Sequence, residues 1–255
     1  MLIEEGSLVL YFFNGDKKWL LRVEKEKKLH THLGIIDVGA SIGLEYGSNI
    51  YTNRDKRIYL LPPNTFDFVM KSQRTTQIVY PKDYGYIVAR TGLKNGSRVL
   101  EIGTGSAALS TFLASIVMPG GHVHTYDINE DFMSIAKKNL EKSGMNPYVT
   151  QQKYEPENIS LLQGIDLVII DLGDPWNYLN LVHPVMKSGA SVVCICPTMN
   201  QLEILATHFF QCGFVDAECV ETFIRKIEAR EGKTRPSMRM IGHTTYLGFA
   251  RKVLK

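Results

Sequence analysis

An α/β fold with an open, largely parallel sheet, preceded by a small β domain, is what the sequence predicts. Three observations carry that prediction. The run Arg98-Val99-Leu100-Glu101-Ile102 suits a buried strand, breaks at Gly103-Thr104-Gly105, then resumes at helical spacing with Leu109, Phe112, Leu113 and Ile116. The run Asp166-Leu167-Val168-Ile169-Ile170-Asp171 is continuous and apolar, as a central parallel strand buried on both faces should be. Residues 1–65 instead carry short strands spaced by glycines, a small β domain ahead of a larger one over 66–255.

The elements follow in order. Ser7-Leu8-Val9-Leu10-Tyr11-Phe12-Phe13, an Asn14-Gly15-Asp16 turn and Trp19-Leu20-Leu21-Arg22-Val23-Glu24 read as a hairpin. Further strands are expected over 31–37 and 57–61, with Pro62-Pro63 closing the segment. Lysines 17, 18, 25, 27 and 28 form either a solvated face or an RNA-facing one. A short helix and linker over 65–70 leads to the extended stretch Thr76-Gln77-Ile78-Val79-Tyr80 before Pro81, and a helix over 84–92. After the glycine turn come a strand at His122-Val123-His124-Thr125-Tyr126-Asp127, a helix from Glu130 to Gly144 and a weak strand over 147–152. Past Asp171 the pattern predicts a helix over 179–186, a strand over 190–197 and a helix over 201–211. It then changes to two long antiparallel strands, 215–225 and 244–253, around a basic loop.

The glycine turn is the chemical centre. Glycines let the backbone approach a ligand, and the N–H groups opening the next helix favour an electron-rich group. Gly103, Gly105 and Ala108 loosely fit the turn that holds a dinucleotide pyrophosphate. Glu101 argues the other way, since a carboxylate beside a pyrophosphate gains nothing, whereas S-adenosylmethionine carries an ammonium and a sulfonium. The spacing resembles the first motif of Rossmann-like methyltransferases, with Ala107 where glycine is usual. Asp127, about twenty residues on, could take ribose hydroxyls in either case, or simply cap the next helix. Asp171 ends a central strand, where open α/β sheets bind ligands. The terminal antiparallel pair fits a methyltransferase sheet better than a nicotinamide-binding one.

Composition sets the outer bounds. A chain of 255 residues, 44% hydrophobic, can bury one large core and a small one. A net charge of +3 is compatible with an RNA partner without requiring one. The four cysteines lack zinc spacing, and His30 and His32 lack a third ligand, so no metal site is expected. No long apolar run or signal-peptide pattern occurs, which predicts a soluble, cytoplasmic protein. Arg225, Lys226, Arg230, Lys233, Arg235 and Arg239 would make the basic loop either a phosphate-binding surface or a disordered one.

Four ordered motifs together resemble a known family. Gln77-Ile78-Val79-Tyr80-Pro81-Lys82-Asp83, Glu101-Ile102-Gly103-Thr104-Gly105-Ser106, Asp171-Leu172-Gly173-Asp174-Pro175-Trp176, and Arg235-Pro236 with His243-Thr244-Thr245-Tyr246-Leu247-Gly248 are similar to the tRNA (adenine-N1)-methyltransferases acting at position 58 of the T loop, in their single-subunit form. The resemblance implies a class I methyltransferase sheet behind a small N-terminal β domain, S-adenosylmethionine as donor, tRNA as substrate and a homotetramer. It implies Asp171 as the catalytic aspartate and Tyr80 as the tyrosine beside the target adenine. It further implies donor contacts from Gln77, Glu101, Gly103, Thr104, Gly105, Ser106, Ala107, Ala108, Leu109, Asp127 and Asp171, with Glu155 the nearest match for a third-strand acid. Asp127 replaces the family's usual glutamate, and Gly173 stands where proline or methionine is frequent. Methylation of adenine 57 as well stays open. So do two alternatives: a non-catalytic RNA-binding subunit, and an exocyclic N6 methyltransferase suggested by Asp174-Pro175-Trp176.

Overall fold

A computed structural model describes residues 1–74 and 77–254. Thr76, which opens the extended stretch before Pro81, lies outside the described residues. The chain divides into two compact units, Met1–Lys71 and Ser72–Lys255.

In the first unit, β1 (Leu8–Asn14) and β2 (Lys17–Arg22) form the expected hairpin; β3 (Lys28–Thr31), β4 (Gly34–Asp37), β5 (Asn49–Tyr51), β6 (Arg57–Leu61) and α1 (Thr65–Met70) follow. Four strands pair antiparallel in the order β2-β1-β6-β5 and bury Val9, Tyr11, Ile58 and Leu60 on one face. The single strand expected over 31–37 is instead the hairpin β3-β4. Thr31 Oγ1 donates to the Gly34 carbonyl at 2.8 Å and accepts from Leu33 N at 3.1 Å, and Gly34 sits at φ +107°, which closes the turn. The unit also ends later than residue 65. Asn64 and Asp67 form a reciprocal capping box on α1, and Lys18 from β2 pairs with Asp67 at 2.7 Å.

The second unit is the α/β body. After α2 (Pro81–Thr91) come β7 (Arg98–Ile102), α3 (Ala108–Val117), β8 (His122–Asp127), α4 (Glu130–Ser143), β9 (Val149–Lys153), α5 (Pro156–Ser160) and β10 (Ile165–Ile170). They are followed by α6 (Leu179–Val182), β11 (Met186–Cys196), α7 (Met199–Gln211), β12 (Phe214–Val220), β13 (Ile227–Glu228), β14 (Arg235–Pro236) and β15 (Tyr246–Lys252). Seven strands form one sheet, β12-β15-β11-β10-β7-β8-β9, parallel except at β15. The order reverses between β7 and β10, so the crevice lies beyond their carboxyl ends.

Three expectations need correction. The helix over 179–186 is one turn, because Pro184 has no N–H to continue it. Met186 already opens β11, and Gly189 at φ +76° sits in a bulge between the pairs Ile165↔Met186 and Leu167↔Ser191, so this strand starts well before residue 190. The strand expected over 215–225 stops at Val220, and a short hairpin of β13 and β14 punctuates the basic loop.

Candidate functional site

The site begins where β7 ends. Gly103 N donates to Tyr126 O at 2.8 Å, and Asp171 N donates to Ile102 O at 2.8 Å, so the turn is stitched to both neighbouring strands. Gly103 takes φ +105°, and a Cβ there would lie 3.0 Å from the carbonyl carbon of Asp171 and closer to its oxygen. Only glycine satisfies both demands. Ala107 then takes φ +58° at the start of α3 and is fully buried.

One cavity is lined by Gln77, Ile78, Val79, Glu101, Gly103, Thr104, Gly105, Ser106, Ala108, Leu109 and Asp171. Ala107, Asp127, Glu155 and Tyr80 lie outside that lining. Ala107 is packed behind the turn. Asp127 bonds outward from β8 instead: its carboxylate accepts from Gly105 N at 2.8 Å and Asn129 N at 2.9 Å, which pins the turn and the start of α4. Glu155 is exposed beyond β9 and accepts from Asn158 Nδ2 at 3.0 Å. Tyr80 is half-buried at the head of α2, its hydroxyl 3.5 Å from Gln77 Oε1. The six cations of the basic loop are exposed, and Arg235 is held by Glu228 at 3.1 Å.

The acids differ in their electrostatics. Burial pushes the Glu101 carboxyl up to about 8, against hydrogen bonds from Ser110 and Thr125 that favour its ionised form. Burial, with the Asp127 charge behind it, lifts Asp171 to about 6. A cavity with two acids held above their ordinary range favours a cationic ligand, because the cation recovers the energy lost in desolvating them.

Three residues to which the sequence assigned no role also shape the site. Asn139 on α4 donates to Ser106 O at 2.9 Å and Gln73 O at 2.8 Å, and accepts from Gln73 N at 3.1 Å. Its signal was available: a polar residue on the apolar stripe of Phe132, Ile135, Ala136 and Leu140. Tyr84 stacks on Phe112 at 4.7 Å, and its buried hydroxyl lacks a partner among the described residues. Neighbouring Glu101 and Asp171, after burial itself, hold that phenol well above its ordinary range. His243 places Nδ1 2.6 Å from Glu221 Oε1 and Nε2 3.0 Å from Pro197 O. Both partners accept only, so it is the imidazolium form, with both ring nitrogens donating, that clasps the ends of β11 and β12.

Sheet order, glycine turn and acid-lined cavity define a class I S-adenosylmethionine-dependent methyltransferase. A structure of an S-adenosylmethionine-dependent O-methyltransferase from Thermotoga maritima superposes with a TM-score of 0.92 and 35% identity, covering 99% of this chain and 95% of that one. The tRNA (m1A58) methyltransferase TrmI of Aquifex aeolicus gives 0.87 and 31%, with all of both chains covered. The tRNA (adenine(57)-N(1)/adenine(58)-N(1))-methyltransferase TrmI of Methanocaldococcus jannaschii is 33% identical over 92% of this chain and 91% of its own. Residues 56–235 match the family described as the tRNA methyltransferase complex GCD14 subunit, and the chain belongs to that family.

Two outcomes test the site's framework. Asn139→Ala leaves buried partners unsatisfied and lowers unfolding stability by about 1–3 kcal/mol, read by calorimetry, while weakening donor binding in titration calorimetry. His243 titrates above its ordinary 6.5, because the Glu221 hydrogen bond, then the Pro197 carbonyl, favour the charged ring. Its contribution to stability is therefore complete below about 6.5 and fades as pH rises through the higher folded value, which NMR titration of the ring protons follows.

Proposed function

We propose that this chain transfers a methyl group from S-adenosylmethionine to N1 of adenine 58 in the tRNA T loop. The observation that carries this reading is that Asp171 and the glycine turn, on adjacent strands, line one cavity. The residues present suit the donor. Ser106 lines the cavity, and its buried Oγ, without a partner among the described residues, can donate to a carboxylate. Glu101 and Asp171 suit an ammonium and a sulfonium. Asp127 keeps lone pairs beyond its two backbone bonds for ribose hydroxyls. When bound, the donor supplies an electrophilic methyl group.

The chain's own residues then do the rest. Adenine N1 has an in-plane lone pair and needs no strong base, but the methylated ring is cationic. The ionised Asp171 carboxylate accepts from the exocyclic N6 amine, holds N1 in line and stabilises charge as it develops. Tyr80, beside Gln77, stacks on the base once it has left the T loop. Arg225, Lys226, Arg230, Lys233 and Arg239 are exposed for phosphate contact, with Arg235 bracing the hairpin through Glu228. The exocyclic reading is weaker: Pro175–Tyr178 form a 3-10 turn and Trp176 packs against the core beside His208, 6.3 Å away, so that aromatic is committed to packing. The same family resemblance extends the reading to a cytoplasmic homotetramer.

Asp171→Ala should lower turnover by about 10²–10³-fold while donor affinity falls far less, since Glu101 and the glycine turn still line the cavity; loss of donor binding with normal turnover at saturation would overturn the assignment. Product mapping by primer extension and nucleoside mass spectrometry on unmodified tRNA separates N1 from N6, and adenine 58 from adenine 57. Turnover should rise as pH climbs through about 6 and level off above it, because only the ionised carboxylate accepts the amine. The sign on stability is opposite: between the ordinary 3.8 and about 6, deprotonation of this acid favours the unfolded chain.

A further inference from the structure

The small domain has an open sheet face that the methyl-transfer reading does not use. Register puts Phe12, Tyr59, Arg57, Asn49 and Tyr51 on the face opposite the domain's core: Phe12 pairs with Tyr59, Asn49 with Tyr59 and Tyr51 with Arg57. On the same face, Leu10 and Leu20 are buried, so that half is covered. The other half is open: Tyr51 is 54% exposed and Tyr59 38%, values no core requirement explains for two tyrosines side by side.

Charge distinguishes this patch from an ordinary apolar one. Arg57 lies between the two rings, its Nε donating to Tyr51 Oη at 3.1 Å and its guanidinium carbon 5.6 Å from the Tyr51 centroid. Hydrogen bonds that it donates to Tyr59, then Tyr51, hold that guanidinium above its ordinary range, as a cation. Lys18 closes the far side, its ammonium 5.6 Å from the Phe66 ring and neutralised by Asp67. No carboxylate of β1, β2, β5 or β6 points from this face, and the turn leading into β6 adds Arg54 and Lys56 against the single acid Asp55. Two flat rings flanking a planar cation match an unpaired nucleotide: the rings offer stacking surface to a base, and the guanidinium a bidentate fork to its phosphate. A protein partner would be better served by apolar contact without an excess of one charge.

We propose that Tyr51, Arg57 and Tyr59 form a stacking platform for an unpaired nucleotide of the tRNA substrate, separate from the cavity where the target adenine reacts. The proposal rests on tRNA being the substrate. Its test reads tRNA binding directly, so failure of the methylation reading and failure of the platform are distinguishable. Fluorescence anisotropy with full-length tRNA transcript compares the parent with the double variant Tyr51→Ala/Tyr59→Ala and with Arg57→Gln. The double variant should raise the tRNA dissociation constant about ten-fold or more. Its affinity for S-adenosylmethionine, its turnover at saturating tRNA and its assembly state by light scattering should be unchanged. Arg57→Gln should weaken binding and make the salt dependence shallower by about one phosphate's worth. Unchanged tRNA affinity in the double variant overturns the platform, as does a smaller assembly in light scattering, which would make this face a contact between copies of the chain. A parent that binds tRNA but methylates none would sink the proposed reaction and leave the platform's own readout intact.

Discussion

The close backbone approach between Gly103 and Asp171 is the constraint on which the site depends. β7 and β10 run parallel with Ile102 opposite Ile170, so the two strands end level. The next residue on each side must pass the other at less than side-chain distance, and Gly103 alone permits it. Neighbouring strands lie about 4.8 Å apart, so the donor turn and the acid facing it are set by the spacing of the sheet itself. Loops positioned by a rigid scaffold can hold reacting groups in line; here the scaffold is the two most buried strands of the body.

Three carboxylates gather at this edge, and the structure treats each differently. Glu101 lies deepest, is hydrogen-bonded by Ser110 and Thr125, and is still pushed up to about 8. Asp127 is satisfied by two backbone N–H groups, which favour its charged form. Asp171 has neither arrangement: burial and the Asp127 charge raise it to about 6, with no side-chain hydrogen bond among the described residues to offset them. Of the three, it is the acid with neither oxygen hydrogen-bonded among the described residues, and its proton leaves near neutral pH. A group that must accept from an amine as positive charge grows needs that combination. Glu101 lines the same cavity but commits one oxygen to Ser110.

What was legible in the sequence follows the strength of local signals. The strand-turn-helix at residues 98–117 was readable because glycines, an acid and helical spacing coincide, and the strand Ile165–Ile170 because the unbroken apolar run over 167–170 suits a central parallel position. The hairpin inside 31–37 was not, since its turn rests on one threonine hydroxyl and a glycine whose positive φ is invisible before folding. The early start of β11 was hidden by Gly189, which reads as a turn and is a bulge. In the site, cavity-lining residues on the glycine turn were readable from spacing. The roles of Asn139 and His243 were not legible, although His243 opens a quoted motif, because they lie in carbonyls contributed by distant segments, Gln73 and Ser106 for one and Pro197 for the other.

Ala107 shows how such a loop tolerates a departure from pattern. A non-glycine residue in the left-handed region costs about 1–2 kcal/mol, and φ +58° places Ala107 there. Glycine would relieve that strain but give back roughly 0.5–1 kcal/mol through the greater freedom of the unfolded chain. It would also forfeit the burial of one methyl group, about 0.8 kcal/mol, and Ala107 is fully buried. The terms nearly cancel, so alanine persists at little net cost. That balance holds only while the turn is braced from both sides, by Asp127 on Gly105 and by Asn139 on Ser106. The shorter acid at 127 is therefore no simple loss of reach toward a ribose, because its two oxygens already do the work of holding a strained loop still.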